Sequence, residues 1–189
     1  AGEGYIPNTF DGLKKLLSGT ANEITSQVSL KTSAELDSNY NAFLDEMDSF
    51  LSCLDGSASL LLMNRAMLVK LRSIARRAGY YERTRDDFGR VVETYAGIPM
   101  VDMGSYYNGS ATADVVETTG GKTAIYAVSL GLDGFHGISP VGDGVISSYM
   151  PDLTAPGAVK TGEVELVAGV ALKNTLKAAV LKDIPIAAE

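Results

Sequence analysis

A chain of 189 residues, 46% apolar and 21% charged, can build the buried core of one domain with at most a small appendage. Its net charge of −7 argues against nonspecific binding to nucleic acid, and no run of about 18 apolar residues offers a membrane-spanning helix. One cysteine and one histidine exclude a disulfide framework, a cysteine zinc site and a multi-histidine metal site.

The opening segment, AGEGYIPNTF, has neither the basic nor the apolar stretch of a signal peptide. It also lacks an initiator methionine, as expected of a processed product, a trimmed form or a proteolytic fragment. From Phe10, the run FDGLKKLLSG predicts a short helix with Leu13, Leu16 and Leu17 on one side and Gly19 as a stop. ANEITSQVSLKT has loop or short-strand character. Thr32 and Glu35 then form a capping box, in which each side chain takes a backbone N–H of the other residue. Leu36, Tyr40, Phe43, Leu44, Met47, Phe50, Leu51 and Leu54 recur at helical spacing, which predicts an amphipathic helix over 32–54 ended by Asp55-Gly56. Its other side carries Asp37, Asn41, Asp45, Asp48 and Ser52, a solvated acidic face. Cys53, in SFLSCL, is expected as buried filler rather than a nucleophile.

ASLLLM reads as a buried strand. Asn64 caps a second helix over 65–78, with Leu68, Leu71, Ile74 and Ala75 as its core stripe and Gly79 as its stop. Arg72, Arg76 and Arg77 crowd its last turns, where the helix dipole favours cations. GRVVETYAG and IPMVDMG are strand candidates, with Pro99 near a strand start. Residues 105–121 read as a long exposed loop, and Asn108-Gly109-Ser110, a formal glycosylation sequon, as a turn. KTAIYAVSL is a strong strand, and 133–157 is a second loop region with short strands. GEVELVAGVAL and KAAVLKDI look like two strands separated by KNTL. Helices early and strands late, without regular βαβ alternation, predict an α+β fold.

Gly120-Gly121-Lys122-Thr123 has the look of a phosphate-binding loop. That loop needs its first glycine five residues before Gly121, where Val116 stands, and a helix after the threonine, where AIYAVSL is strand-like. The four residues read better as a turn into a strand. His136 has no Gly-x-Ser-x-Gly elbow to accompany it as a triad base. No catalytic, cofactor-binding or metal-binding residue is assigned.

Residues 65–90 hold eight Lys or Arg against three acids, a local +5 that leaves −12 for the rest of the chain. Three readings stay open. One is nucleic-acid contact, although acids are interleaved and no DNA-binding motif surrounds them. Another is a solvated face with local ion pairs, each worth roughly 0–1 kcal/mol. The third is a subunit contact in which these cations meet a neighbour's acidic helix face. The interface candidates are Arg72, Arg76, Arg77, Arg83, Arg85, Asp45, Asp48 and Lys122.

NTFDGLKKLL, SLLLMNRAMLVKLRSIARRAG, GIPMVDMG and GEVELVAGVALKNTLKAAVLKDI, in that order and spacing, resemble the major capsid proteins of tailed bacteriophages and prophages, the Hong Kong 97-type fold. The resemblance implies a non-enzymatic shell subunit with an axial (A) domain and a peripheral (P) domain. On that reading 1–31 is a P-domain remnant leading into the A-domain, 32–160 is the A-domain, and 161–189 holds return strands toward the P-domain. The family's N-terminal arm, extended loop and spine helix have no counterpart in the chain, so it is expected as the C-terminal portion of a subunit. In this form it is expected to be a monomer or weak oligomer. The implied partners are other copies of itself in pentamers and hexamers, with scaffolding or portal proteins besides, and neither specific nucleic-acid binding nor a membrane. The implied location is a virion capsid assembled in the bacterial host cytoplasm. An encapsulin-like compartment shell is the alternative within the same fold, and a small phosphate-handling enzyme built on Lys122-Thr123 the alternative outside it.

Overall fold

The structure, a computed structural model, describes residues 10–79, 83–85, 91–139, 145–151, 154, 156, 157 and 159–187, with backbone alone at 83–85 and 91. Helix α1 (Leu13–Leu17) and strand β1 (Glu23–Thr25) lead into helix α2 (Ser33–Ser52). Then come β2 (Leu60–Met63), α3 (Arg65–Ala78), β3 (Arg83–Arg85), β4 (Val91–Tyr95) and β5 (Ile98–Asp102). The remaining strands are β6 (Ser105–Tyr107), β7 (Thr112–Asp114), β8 (Lys122–Val128), β9 (Phe135–Ile138), β10 (Ile146–Tyr149), β11 (Glu163–Leu166) and β12 (Gly169–Leu172). A 3-10 turn over Thr175–Lys177 precedes β13 (Ala178–Pro185).

Local chemistry starts and stops the two long helices. At α2, Thr32 Oγ1 accepts from the Glu35 N–H at 3.2 Å, and the Glu35 carboxylate accepts from the Thr32 and Lys31 N–H groups and the Ser29 hydroxyl. The Ser29 hydroxyl and the Thr32 N–H, ahead of the Lys31 contacts, hold the Glu35 carboxyl below its usual range. At α3, Asn64 Oδ1 accepts from the Met67 N–H at 2.9 Å, and Gly79 closes the helix at φ 78°, a conformation that suits glycine.

Among the described residues, seven strands form one sheet in the order β1-β13-β8-β2-β5-β4-β3. β1 runs parallel to β13, and β2 parallel to β5 across α3; the other pairings are antiparallel. The sheet draws strands from all three expected segments, β1 from 1–31, β2 to β5 and β8 from 32–160, and β13 from 161–189.

Because side chains alternate along a strand, the sheet has two different faces. Leu61, Met63, Ile125, Ala127, Ala179, Leu181 and Ile184 lie under α2 and α3, which contribute Leu36, Phe43, Met47 and Phe50, and Met67, Leu68, Leu71 and Ile74. Burying each large apolar side chain stabilises by about 1.5–3 kcal/mol, so this face is the main core. The opposite face carries a smaller cluster, Leu17 of α1 with Val128, Ala178 and Val180. Leu181 and Ile184 would point to opposite faces in a regular strand. A register shift between them, with Asp183 at φ 59°, returns Ile184 to the main core.

Four sequence expectations change. Residues 105–121 are not only loop: β6 and β7 pair as a hairpin, and Val116 is buried. GEVELVAGVAL is two strands, β11 and β12, with different partners. Cys53 is half-buried, because the last turn of α2 ends at Ser52 and places it at the cap. Met67, outside the expected stripe, is fully buried at the start of α3.

Candidate assembly surfaces

At the Gly-Gly pair the backbone makes a two-residue hairpin turn. Thr119 and Lys122 exchange both N–H···O bonds, at 2.9 and 3.0 Å, with Gly120 and Gly121 at φ 55° and 70°. Positive φ at both central positions is the type I′ geometry that glycine favours. β8 begins at Lys122, so no helix N-terminus faces the glycines. The Thr123 hydroxyl is already engaged, accepting from Asn64 Nδ2 at 2.9 Å and donating to the Glu117 carbonyl. Asn64 Nδ2 also reaches the Val116 carbonyl and Thr118 Oγ1. The fully buried Asn64 therefore fastens the 116–123 segment to the start of α3. Lys122 is exposed beside this turn, opposite Pro185 in the ladder.

His136 sits on β9 opposite Ala171, its Nδ1 at 3.3 Å from the Gly134 carbonyl. Among the described residues no group of three or more His, Cys, Asp or Glu could hold a metal, and no helix is long and apolar enough to cross a membrane.

The charged candidates divide by whether the chain itself pairs them. Arg72 Nε donates to both carboxylate oxygens of Glu93, at 2.9 and 2.8 Å. Arg77 bonds Asp37 at 2.5 Å, and also reaches Ser73 and Ser33. Asp48 accepts from the Tyr95 hydroxyl at 2.6 Å. Asp37, Asp48, Arg72 and Arg77 thus tie α2, α3 and β4 together. Among the described residues, Arg76, Asp45 and Lys122 are left with no such side-chain partner, and all three are exposed. Arg83 and Arg85 lie on β3, and their side chains fall outside the described residues, as do Glu82, Asp86, Asp87 and Arg90 of the same basic segment.

The surface that sequence reading did not single out is the ribbon of β9 to β12. β9 pairs with β12 and β10 with β11, and among the described residues none of these strands has a second partner. In the β10–β11 ladder, Ile146 faces Leu166 and Ser148 faces Val164; Ser147 faces Glu165 and Tyr149 faces Glu163. Residues directly opposite share a face, so Ile146, Val164 and Leu166 line one side and Tyr149, Glu163 and Glu165 the other. The apolar side is open, with Ile146, Val164 and Leu166 at 64%, 73% and 64% exposure. Tyr149, Met150 and Val159 are exposed too. A second exposed pair, Tyr106 and Tyr107, stands on the β6–β7 hairpin. The period-two pattern of Glu-Val-Glu-Leu was a usable signal for a one-sided strand, but it does not say whose core the Val-Leu side enters.

No protein-family model matches the chain, and no curated protein matches its sequence. Among solved structures it is similar to the encapsulin of the holo-SrpI encapsulin complex from Synechococcus elongatus PCC 7942, with a TM-score of 0.64 and 18% identity. The match covers 88% of this chain and 54% of the other, so the chain spans about half the length of that encapsulin. At this identity the likeness shows the fold, and that fold is of the Hong Kong 97 type.

Proposed function

We propose that this chain is a structural subunit of a self-assembling protein shell, without enzymatic activity. One observation carries the reading: a domain with this fold holds out a two-stranded ribbon whose apolar side chains are covered by nothing among its described residues. An isolated two-stranded ribbon is marginal in water, and exposed strand edges with apolar faces invite another chain. Burial against a neighbouring copy satisfies both, and many weak contacts of this kind add up in a closed assembly.

Within that reading, the phage or prophage capsid is the first choice, supported by the sequence resemblance. The shell would gather copies into pentamers and hexamers around a genome, with scaffolding or portal proteins as further partners, in a virion assembled in the bacterial cytoplasm. The overall charge of −7 suits an inner wall that repels packaged DNA. The encapsulin-like compartment, with protein cargo, is the second reading and is favoured by the structural likeness to an encapsulin.

Electron microscopy of the full gene product tests the common claim, with shells of uniform diameter expected and only amorphous or monomeric material overturning it. Nuclease-protected DNA inside the particles selects the capsid, and co-purified protein cargo selects the compartment. Calorimetric titration with Mg-ATP is expected to show no binding. Micromolar affinity lost in Lys122→Ala would instead revive the phosphate-handling enzyme.

A further inference from the structure

We propose that the Glu163–Glu165 side of the β10–β11 ribbon in one copy docks across the outward stripe of α3 in a second copy. The inference rests on the shell reading above and names the two surfaces that meet.

The stripe is set by helix geometry. Arg65, Val69 and Arg76 are separated by four and seven positions, which places them on one side of α3, away from its buried Met67, Leu68, Leu71 and Ile74. Val69 is 52% exposed, and the guanidinium groups of Arg65 and Arg76 have no hydrogen bond or ion pair within the described chain. Two arginines therefore stand astride one exposed apolar side chain over about 16 Å of helix.

The ribbon offers the complement. Glu163 and Glu165 lie about 7 Å apart along one strand, and their carboxylates have no partner within the described chain. Tyr149, 58% exposed and directly opposite Glu163, supplies apolar area beside them. Carboxylates with a ring on one surface fit guanidinium groups with a valine on the other, since arginine forks onto carboxylates and its planar head stacks on rings.

The expected acidic partner, the Asp37–Asp48 side of α2, fits less well. Asp37 and Asp48 already serve Arg77 and Tyr95 inside the chain. The two surfaces of the contact are different, so it is heterologous, the type that repeats head to tail and closes into rings.

The test is self-association by sedimentation velocity at low ionic strength. E163K/E165K and R65E/R76E each weaken association about tenfold or more, whereas the chain carrying all four changes recovers to within about threefold of wild type. Every position is exposed, and circular dichroism confirms that each variant is folded. In a Cys53→Ser background, a mixture of V69C and Y149C chains forms a disulfide-linked dimer that neither chain forms alone. Unchanged association in the charge-reversed variants, with loss only in I146S/V164S/L166S, overturns this pairing and leaves the shell reading standing. No association by the wild-type chain at high concentration overturns this pairing, and the shell reading then stands or falls on the electron microscopy of the full gene product.

Discussion

The seven-stranded sheet and the β9–β12 ribbon are made from similar residues and are used in opposite ways. In the sheet, β2 and β8 each have strands on both sides and helices over one face, and Leu61, Met63, Ile125 and Leu181 are fully buried. In the ribbon, Ile146, Val164 and Leu166 meet no such cover among the described residues. The same alternation of apolar and polar residues gives a closed core in one place and an open contact surface in the other. What differs is the number of layers available. Leu60–Met63 and Lys122–Val128 contribute to the cores that the helices cover, and neither core includes Ile146, Val164 or Leu166.

That contrast breaks if core and ribbon substitutions behave alike. The largest expected effect is Phe43→Ala, which empties the centre of the main core and lowers unfolding free energy by about 3–5 kcal/mol in urea denaturation. Asn64→Ala follows at about 3 kcal/mol by the same measurement, because it removes a helix cap and strands the buried Val116 carbonyl. Thr32→Ala removes one side of the capping box and is expected to cost about 1 kcal/mol. Val164→Ser with Leu166→Ser changes stability by less than about 0.5 kcal/mol, as exposed positions do, while reducing self-association in sedimentation. A ribbon substitution as costly to folding as Phe43→Ala would remove the distinction.

The smallest effect is a pH dependence on the sheet edge. The Lys182 ammonium, 2.7 Å from Glu23, and then the Gly19 N–H hold the Glu23 carboxyl below its usual value of 4.5. Glu23 in turn raises Lys182 above its usual 10.5. A depressed carboxyl stabilises the fold above its unfolded value, and that contribution is lost as pH falls through the folded value. The raised ammonium contributes below 10.5 and is lost as pH rises through its folded value. Glu23→Gln should therefore lower stability at about pH 7 and match wild type at about pH 2. An equal deficit at both would sink the assignment.

Most of the framework was legible because its signals are local. Thr32 with Glu35, and Asn64 with Gly79, mark helix ends without reference to anything distant. Strands β2, β8 and β13 announce themselves by apolar and β-branched content. The β6–β7 hairpin was hidden by its Ser, Asn and Gly residues, which read as loop. The candidate site was less legible. That Arg77 pairs Asp37, forty positions earlier, depends on how α2 and α3 cross, and nothing in either helix alone encodes it. Glu163 and Glu165 were overlooked because a strand with one apolar side looks the same whether that side enters its own core or a neighbour's. The Gly-Gly-Lys-Thr segment shows the reverse case, a sequence that advertises phosphate chemistry and folds as a type I′ turn.

The parallel pair β1–β13 has a consequence for the order in which the molecule can be made. Asn22, just before β1, bonds the carbonyl of Ala178 at the start of β13, 156 positions later. At about 5–20 residues per second of translation, β1 leaves the ribosome roughly ten to thirty seconds before its partner exists. Through that interval the sheet lacks β13, the strand that bridges β8 and β1, so the main core can close only when the last part of the chain arrives. The ribbon is synthesised before that closing strand, and a neighbour could meet it while the sheet beneath is still unfinished.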